Sequence, residues 1–219
     1  MSDTNVDWAV YAQSYDLLLS HNPYYQALHK DVLDRCRTWS FPEGGTLLDL
    51  GAGTGNYSLA LAQMFAGCRV VHAEPNEGMN ARTQEKLNGL SNLEIRPLRA
   101  QELQMDEGSL AGCVCVHAFY TFGHPQEIMA MLFRWMAPGA EAVLVDAGRQ
   151  VNVLSWQIAI GWHLFKTQGI KRSLEIMRSG KEVSRQNAYI REQQDKGVYW
   201  VHSHNEFVQA IRKSGFDVL

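Results

Sequence analysis

Short apolar runs alternate along this chain with longer stretches in which apolar side chains recur at helical spacing. Residues 6–19 and 24–39 predict two helices, parted by the break at Asn22-Pro23. The run Leu47-Leu48-Asp49-Leu50 then reads as a buried strand, and glycines at 51, 53 and 55 end it before a helix over residues 57–65. Arg69 to Ala73 is a second strand, closing at Glu74-Pro75-Asn76, and Asn76 caps a helix that runs to about Leu87. Residues 93–96 and 112–118 predict the third and fourth strands. Residues 128–136 predict a helix stopped by Pro138-Gly139, and residues 141–146 a valine-rich fifth strand. Strands that alternate with helices imply an α/β fold with a mostly parallel sheet, helices on both faces and right-handed crossovers.

That rhythm breaks over residues 151–196, which offer two or three helical segments interrupted near Gly169 and Gly180 and no convincing strand. We read this stretch as a helical lid inserted before the return to the core. Helical spacing resumes over residues 205–213, followed by Gly215 and the apolar fragment Phe216 to Leu219, with room for one short sixth strand. The expectation is a single domain over residues 1–219. Within it, 1–40 form cap helices, 46–146 the ligand-binding core, 151–196 the lid, and 204–219 a return to the core that stops short.

Composition narrows the class without fixing it. A chain of 219 residues suits one well-buried domain, and 46% apolar with 20% charged residues is ordinary for a globular protein. A formal charge of −3 gives no general pull toward nucleic acid, and no RNA-reading motif accompanies the basic residues of the lid. No apolar stretch has spanning length, and the start lacks a basic segment followed by an apolar one, so the expectation is a cytoplasmic protein with no membrane contact. Cys36, Cys68, Cys113 and Cys115 contain no Cys-x-x-Cys pair and read as reduced core thiols. No His, Cys or carboxylate set has metal-ligand spacing, so no metal is expected.

The glycine loop carries the chemistry. Dinucleotide folds use Gly-x-Gly-x-x-Gly, and Walker loops need Gly-Lys-Ser/Thr; neither occurs here. Gly51-Ala52-Gly53-Thr54-Gly55 directly after a strand-ending acid resembles the first motif of the class I, Rossmann-like S-adenosylmethionine-dependent methyltransferases. The resemblance covers residues 47–146 and returns at 207–219, about half the chain. It implies that Asp49 sits near the cationic methionine end of the cofactor, with Gly51, Ala52, Gly53 and Gly55 against it. Glu74 then accepts hydrogen bonds from both ribose hydroxyls, since a carboxylate can take two donors. Pro75, Asn76 and Met79 border the adenine, and Ala100-Gln101-Glu102 meets its edge. Tyr11-Ala12-Gln13-Ser14-Tyr15-Asp16 resembles the segment that folds over the cofactor in many small-molecule members. It would bring Tyr15 to the methionine carboxylate and Tyr11 to the wall of the transfer site, although each tyrosine alone equally suits packing on the sheet. The chain departs from the family where Leu110-Ala111-Gly112-Cys113 replaces the usual Phe-Asp-x-Val, and where it stops before the usual antiparallel strand pair.

His117 lies where the fourth strand ends, at the edge on which open α/β sheets bind ligands. It could border the cofactor and act as a base toward a hydroxyl, amine or thiol, or it could simply pack. Phe119 and Tyr120 continue into the same mouth, and Asp146 either walls it or closes a turn. Trp156 and His163 from the lid, and Trp200 near the chain's end, complete the candidate substrate pocket. The implied function is methyl transfer from S-adenosylmethionine, yielding S-adenosylhomocysteine, to oxygen or nitrogen of a small metabolite, aromatic ones included, with carbon less favoured. Two alternatives stay open: a non-catalytic cofactor-binding partner subunit and a nicotinamide-dependent oxidoreductase. A homodimer through the lid or the sheet edge is also compatible with the pattern.

Overall fold

The computed structural model describes Ala12, Asp16 and residues 21–87, 89–150, 152–179 and 181–219, with the backbone alone for parts of the lid that include Trp156. Tyr11 and Tyr15, and most of the first predicted helix, lie outside the described residues. Five strands, β1 (Thr46–Leu50), β2 (Arg69–Ala73), β3 (Leu93–Arg96), β4 (Leu110–Val116) and β5 (Met136–Val145), form one sheet in the order β3-β2-β1-β4-β5. Every pairing is parallel. The helices are α1 (Pro23–Cys36), α2 (Asn56–Met64), α3 (Glu77–Lys86), α4 (Pro125–Trp135), α5 (Val153–Ser179), α6 (Lys181–Asp195) and α7 (His204–Lys213).

The central strand explains why its sequence is nearly continuous in apolar residues, because both of its faces are covered. Leu47 points into the cluster built with Val32, Leu33 and Cys36 of α1 and Leu61 of α2. Leu48 and Leu50 point the other way, into a cluster with Ile128 and Leu132 of α4 and Phe207 and Ile211 of α7. Alternation along β2 works the same way, with Val70 on the first face and Val71 on the second. Asp49 and His72 therefore fall together on the α2 face, and the sheet register makes them direct neighbours. Helices on both faces of a parallel sheet make this the Rossmann-like α/β architecture that the alternating pattern predicts.

Two local expectations change. The helix expected to run to residue 136 and stop at Pro138-Gly139 already ends at Trp135, and Pro138-Gly139 fall inside β5, whose Met136 pairs with Leu110 before a register shift brings Glu141 opposite Gly112. β5 is an edge strand of this sheet, and an irregular edge ladder accommodates a proline. Residues 216–219 form no sixth strand. Phe216 packs edge-on against Phe133 of α4, with ring centroids 5.2 Å apart, so its ring is seated on a helix.

Residues 153–179 and 181–195 are helical as expected, with a break at Gly169; Gly180, the other expected break, lies outside the described residues. Gly169, at φ 74° and ψ 171°, splits α5 in a conformation that favours glycine. Leu154, Ile158, Trp162 and Phe165 follow one another at helical spacing and remain exposed, while Leu164 is buried. Among the described residues no helix is long and apolar enough to cross a membrane. All four cysteines are buried and free.

Candidate functional site

The glycine loop leaves the carboxyl end of β1 and turns at once into α2. Gly51 N and Ala52 N both donate to the Ala73 carbonyl of β2, at 2.9 and 3.1 Å, which pins the loop to its neighbouring strand. Gly51 has φ 70°, and a Cβ there would lie 2.4 Å from the Ala118 methyl, so glycine is required twice over. At Gly53, by contrast, a Cβ would meet nothing within 4 Å. The open side of the loop faces a cavity lined by Tyr25, Asp49, residues 51–54, Tyr57 and Val116.

Glu74 stands across the loop at the end of β2. Its Oε2 accepts the Gly53 N–H at 3.0 Å and its Oε1 the Asn76 N–H at 2.9 Å. Burial raises its pKa against those two bonds. Each oxygen accepts one backbone donor here, which leaves lone pairs for two more. Asn76 caps α3 by accepting the Met79 N–H at 3.0 Å; Met79 is buried and Pro75 exposed. Ala100 is buried beneath the next loop, where the exposed Glu102 accepts the Arg99 N–H at 3.0 Å and Gln101 faces outward.

Asp49 borders the cavity, but its carboxyl is only 2% exposed and turned toward α2. Ser58 Oγ lies 2.6 Å from Asp49 Oδ2, and the Ser58 backbone N–H also bonds this carboxyl. Burial pushes the Asp49 pKa up to about 7 despite those bonds.

Sequence reasoning quoted Asp16 in a motif but gave it no task. In the structure its carboxylate joins the loop to α3, accepting the Thr54 hydroxyl at 2.8 Å, Arg82 Nε at 3.0 Å and Lys86 Nζ at 3.1 Å. Burial would raise its pKa, yet these partners outweigh burial and hold it below the ordinary value. Tyr25, Thr54 and Tyr57 were missed as cavity residues. Thr54 carried a signal, since it lies inside the glycine loop, whereas Tyr25 and Tyr57 sit at ordinary helix positions.

A second cluster occupies the carboxyl ends of β4 and β5. His117 adopts φ 56°, uncommon for a residue with a side chain, and donates its N–H to the Val145 carbonyl at 2.7 Å. Its Nδ1 is buried with no partner among the described residues, and burial lowers its pKa against the pull of Asp146. Asp146 Oδ2 pairs with His202 Nε2 at 2.9 Å, both side chains almost wholly buried. Burial raises the Asp146 pKa and the His202 bond opposes it. Trp200 packs on His202 with ring centroids 4.2 Å apart, and Tyr120 meets Tyr199 edge-on. Phe119 is fully buried in the core below this mouth, packed on Phe122 and Phe207. His163 is half-buried on α5. The described residues contain no group of three or more His, Cys, Asp or Glu able to hold a metal ion.

A glycine turn and a carboxylate at adjacent strand ends, beside the central strand of a parallel sheet, define a nucleoside-binding α/β protein. A family model described as a methyltransferase domain matches residues 21–219, and the chain belongs to that family, whose class I fold its glycine loop resembles. It is 31% identical over 103 residues to a demethylmenaquinone methyltransferase of Clavibacter sepedonicus, a match covering 47% of this chain and 41% of that protein. A second demethylmenaquinone methyltransferase, from Thermus thermophilus, is 29% identical over 102 residues, covering 46% of each chain. These matches thus span less than half the length of either relative. Phosphoethanolamine N-methyltransferase 2 of Haemonchus contortus, solved with phosphomonomethylethanolamine and S-adenosylhomocysteine, shares the fold at a TM-score of 0.65 and 14% identity. That likeness covers 99% of this chain and 45% of the other.

Proposed function

We propose that the chain binds S-adenosylmethionine at the glycine loop and passes its methyl group to a small aromatic acceptor, with oxygen or nitrogen favoured and ring carbon an alternative. The observation that carries this reading is Glu74, held by one N–H from the glycine loop and one from α3 with acceptor capacity left on both oxygens. The open face of Gly53 lets a ligand lie against the main chain beside it. These residues fit a nucleoside with a free diol and no phosphate, because the loop has neither the Walker lysine nor the dinucleotide spacing.

When bound, this cofactor supplies a methyl group already activated as a sulfonium, so placement in line with the acceptor supplies much of the acceleration. Glu74 fixes the ribose, the Gly51–Gly53 backbone borders the amino-acid tail, and Asp16 braces the loop through the Thr54 hydroxyl. His117 and the Asp146–His202 pair stand at the mouth, where the uncommitted Nδ1 of His117 can hold or receive a proton from the acceptor. The name of the two sequence relatives makes a demethylated quinone the first acceptor to test.

Calorimetry tests the cofactor reading, with S-adenosylmethionine and S-adenosylhomocysteine as ligands and NAD as control. The expected result is saturable one-site binding of the sulfonium pair and none of NAD. Glu74→Ala should weaken that binding by about 1.5 to 3 kcal/mol, the range for hydrogen bonds to a charged group. NAD binding, or unchanged affinity in the variant, would overturn the assignment.

A further inference from the structure

Behind the glycine loop runs a chain of buried polar groups whose protons can be counted. Asp49 and His72 are register neighbours on β1 and β2, and Ser58 of α2 bridges them, its Oγ 2.6 Å from Asp49 Oδ2 and 2.8 Å from His72 Nδ1. His72 Nε2 lies 3.0 Å from Asn80 Oδ1 on α3, and Asn80 Nδ2 donates to the Glu74 carbonyl at 2.8 Å. Ser58 and His72 are wholly buried.

A carbonyl only accepts, so Asn80 turns its NH2 to Glu74 and its Oδ1 to His72, and His72 Nε2 must carry a proton. Ser58 has one hydroxyl proton for two short contacts. With Asp49 ionised and His72 neutral, one of those contacts would set two acceptors against each other in a dry interior, a costly arrangement. The chain therefore holds one further proton, either on Asp49 or on His72 Nδ1. The surroundings choose Asp49. Burial, reinforced by the Lys86 charge and opposed by the Asn80 bond, lowers the His72 pKa to about 4. Burial, reinforced by Glu74 and opposed by Ser58, raises that of Asp49 to about 7. The other titratable groups near Asp49 are the thiols of Cys36 on α1 and of Cys113 and Cys115 on β4, which burial pushes up and keeps neutral. Every donor then points the same way, from Asp49 through Ser58, His72 and Asn80 to the Glu74 carbonyl.

We propose that His72 is a positioning residue for Glu74: held between Ser58 and Asn80 in a one-way donor chain that begins at the Asp49 carboxyl, it fixes the Glu74 peptide and so aims the Glu74 carboxylate at a ribose diol. The proposal rests on the ribose role given to Glu74 above. If Asp49 loses its proton, the Ser58 hydroxyl turns to the new carboxylate. His72 then either faces a bare oxygen or shifts its proton to Nδ1 and releases Asn80.

Two measurements test this on the full chain. Ring-nitrogen NMR of 15N-labelled protein, with His72 assigned by difference from His72→Gln, should show a neutral Nε2–H tautomer that does not titrate from about pH 5 to 6.5, where an ordinary histidine would. An Nδ1–H tautomer or an ordinary titration would overturn the chain, with no ligand involved. Binding of adenosine and of 2′,3′-dideoxyadenosine is then compared in Asn80→Ala, alone and combined with Glu74→Gln. Asn80→Ala should weaken adenosine binding about fivefold to tenfold, the worth of roughly one hydrogen bond, spare the dideoxy ligand, and add no loss to Glu74→Gln. Equal loss for both ligands would reduce the chain to general support and overturn the proposal. A wild-type protein that binds the two nucleosides equally would overturn the ribose reading of Glu74, while the NMR result still reports the chain itself.

Discussion

Asp49 and His72 trade the protonation states that water would give them. Between about pH 4 and 6.5 an unfolded chain carries an ionised aspartate and a charged histidine, whereas the folded pair is a neutral acid beside a neutral ring. Asp49 has its folded pKa raised, so its contribution to stability is full below its ordinary 3.8 and is lost as pH climbs through about 7. His72 has its folded pKa depressed, so its contribution is full above 6.5 and is lost as pH falls toward about 4. Across the shared window the two slopes cancel, because folding only moves a proton from one group to the other. Asp49→Asn removes one side of that balance. Urea unfolding of both proteins should show the stability difference shifting in the variant's favour by up to about 1.4 kcal/mol per pH unit as pH rises from 4 to 7. A difference that stays constant with pH would refute the neutral acid. The sequence made Asp49, the glycines and Glu74 legible because their spacing belongs to a recognisable turn. Ser58 and His72 sit at unmarked helix and strand positions; the β1–β2 register sets His72 beside Asp49, and the packing of α2 on the sheet brings Ser58 to both.

The elements themselves were largely written in the pattern of apolar positions. The spans of β2 and β3 match the strong β residues of 69–73 and 93–96, and Asn76 caps α3 as its position suggests. The misplacements have local causes. The valine pattern alone marks β5 from residue 141, because Pro138 and Gly139 hide an irregular stretch that still pairs with β4. Residues 216–219 resemble a strand in composition, yet composition does not reveal that Phe133 offers their aromatic a place on a helix. For α7 the start is chemical: Ser203 accepts the Glu206 N–H, and the Glu206 carboxylate accepts the Ser203 N–H, a complete capping box. Ser203→Ala should therefore cost about 1 kcal/mol of stability. Thermal unfolding should register a lower midpoint with unchanged cofactor affinity, since α7 supports the α4 side of the sheet, away from the glycine loop.

At the scale of the molecule, strand order decides where a ligand can bind. The chain leaves β1 for β2 on one side and later returns to β4 on the other, so a crevice opens at the carboxyl ends beside the central strand. The glycine loop, Glu74 and His117 all emerge at that end. Beyond β5, α5 breaks at Gly169. The donor chain runs beneath this crevice, sealed between the sheet and α2. Sealing turns it into a clock. A ring proton on a surface histidine swaps with water almost at once, but the Nε2–H of His72 can leave only when α2 or α3 lifts from the sheet, an event with its own free energy. In deuterium oxide its signal should outlast those of the exposed imidazoles and fade in step with the backbone amides of β2. A nucleoside that clamps Glu74 to the glycine loop should slow it further, so the lifetime of one buried proton becomes a gauge of how tightly the site is closed.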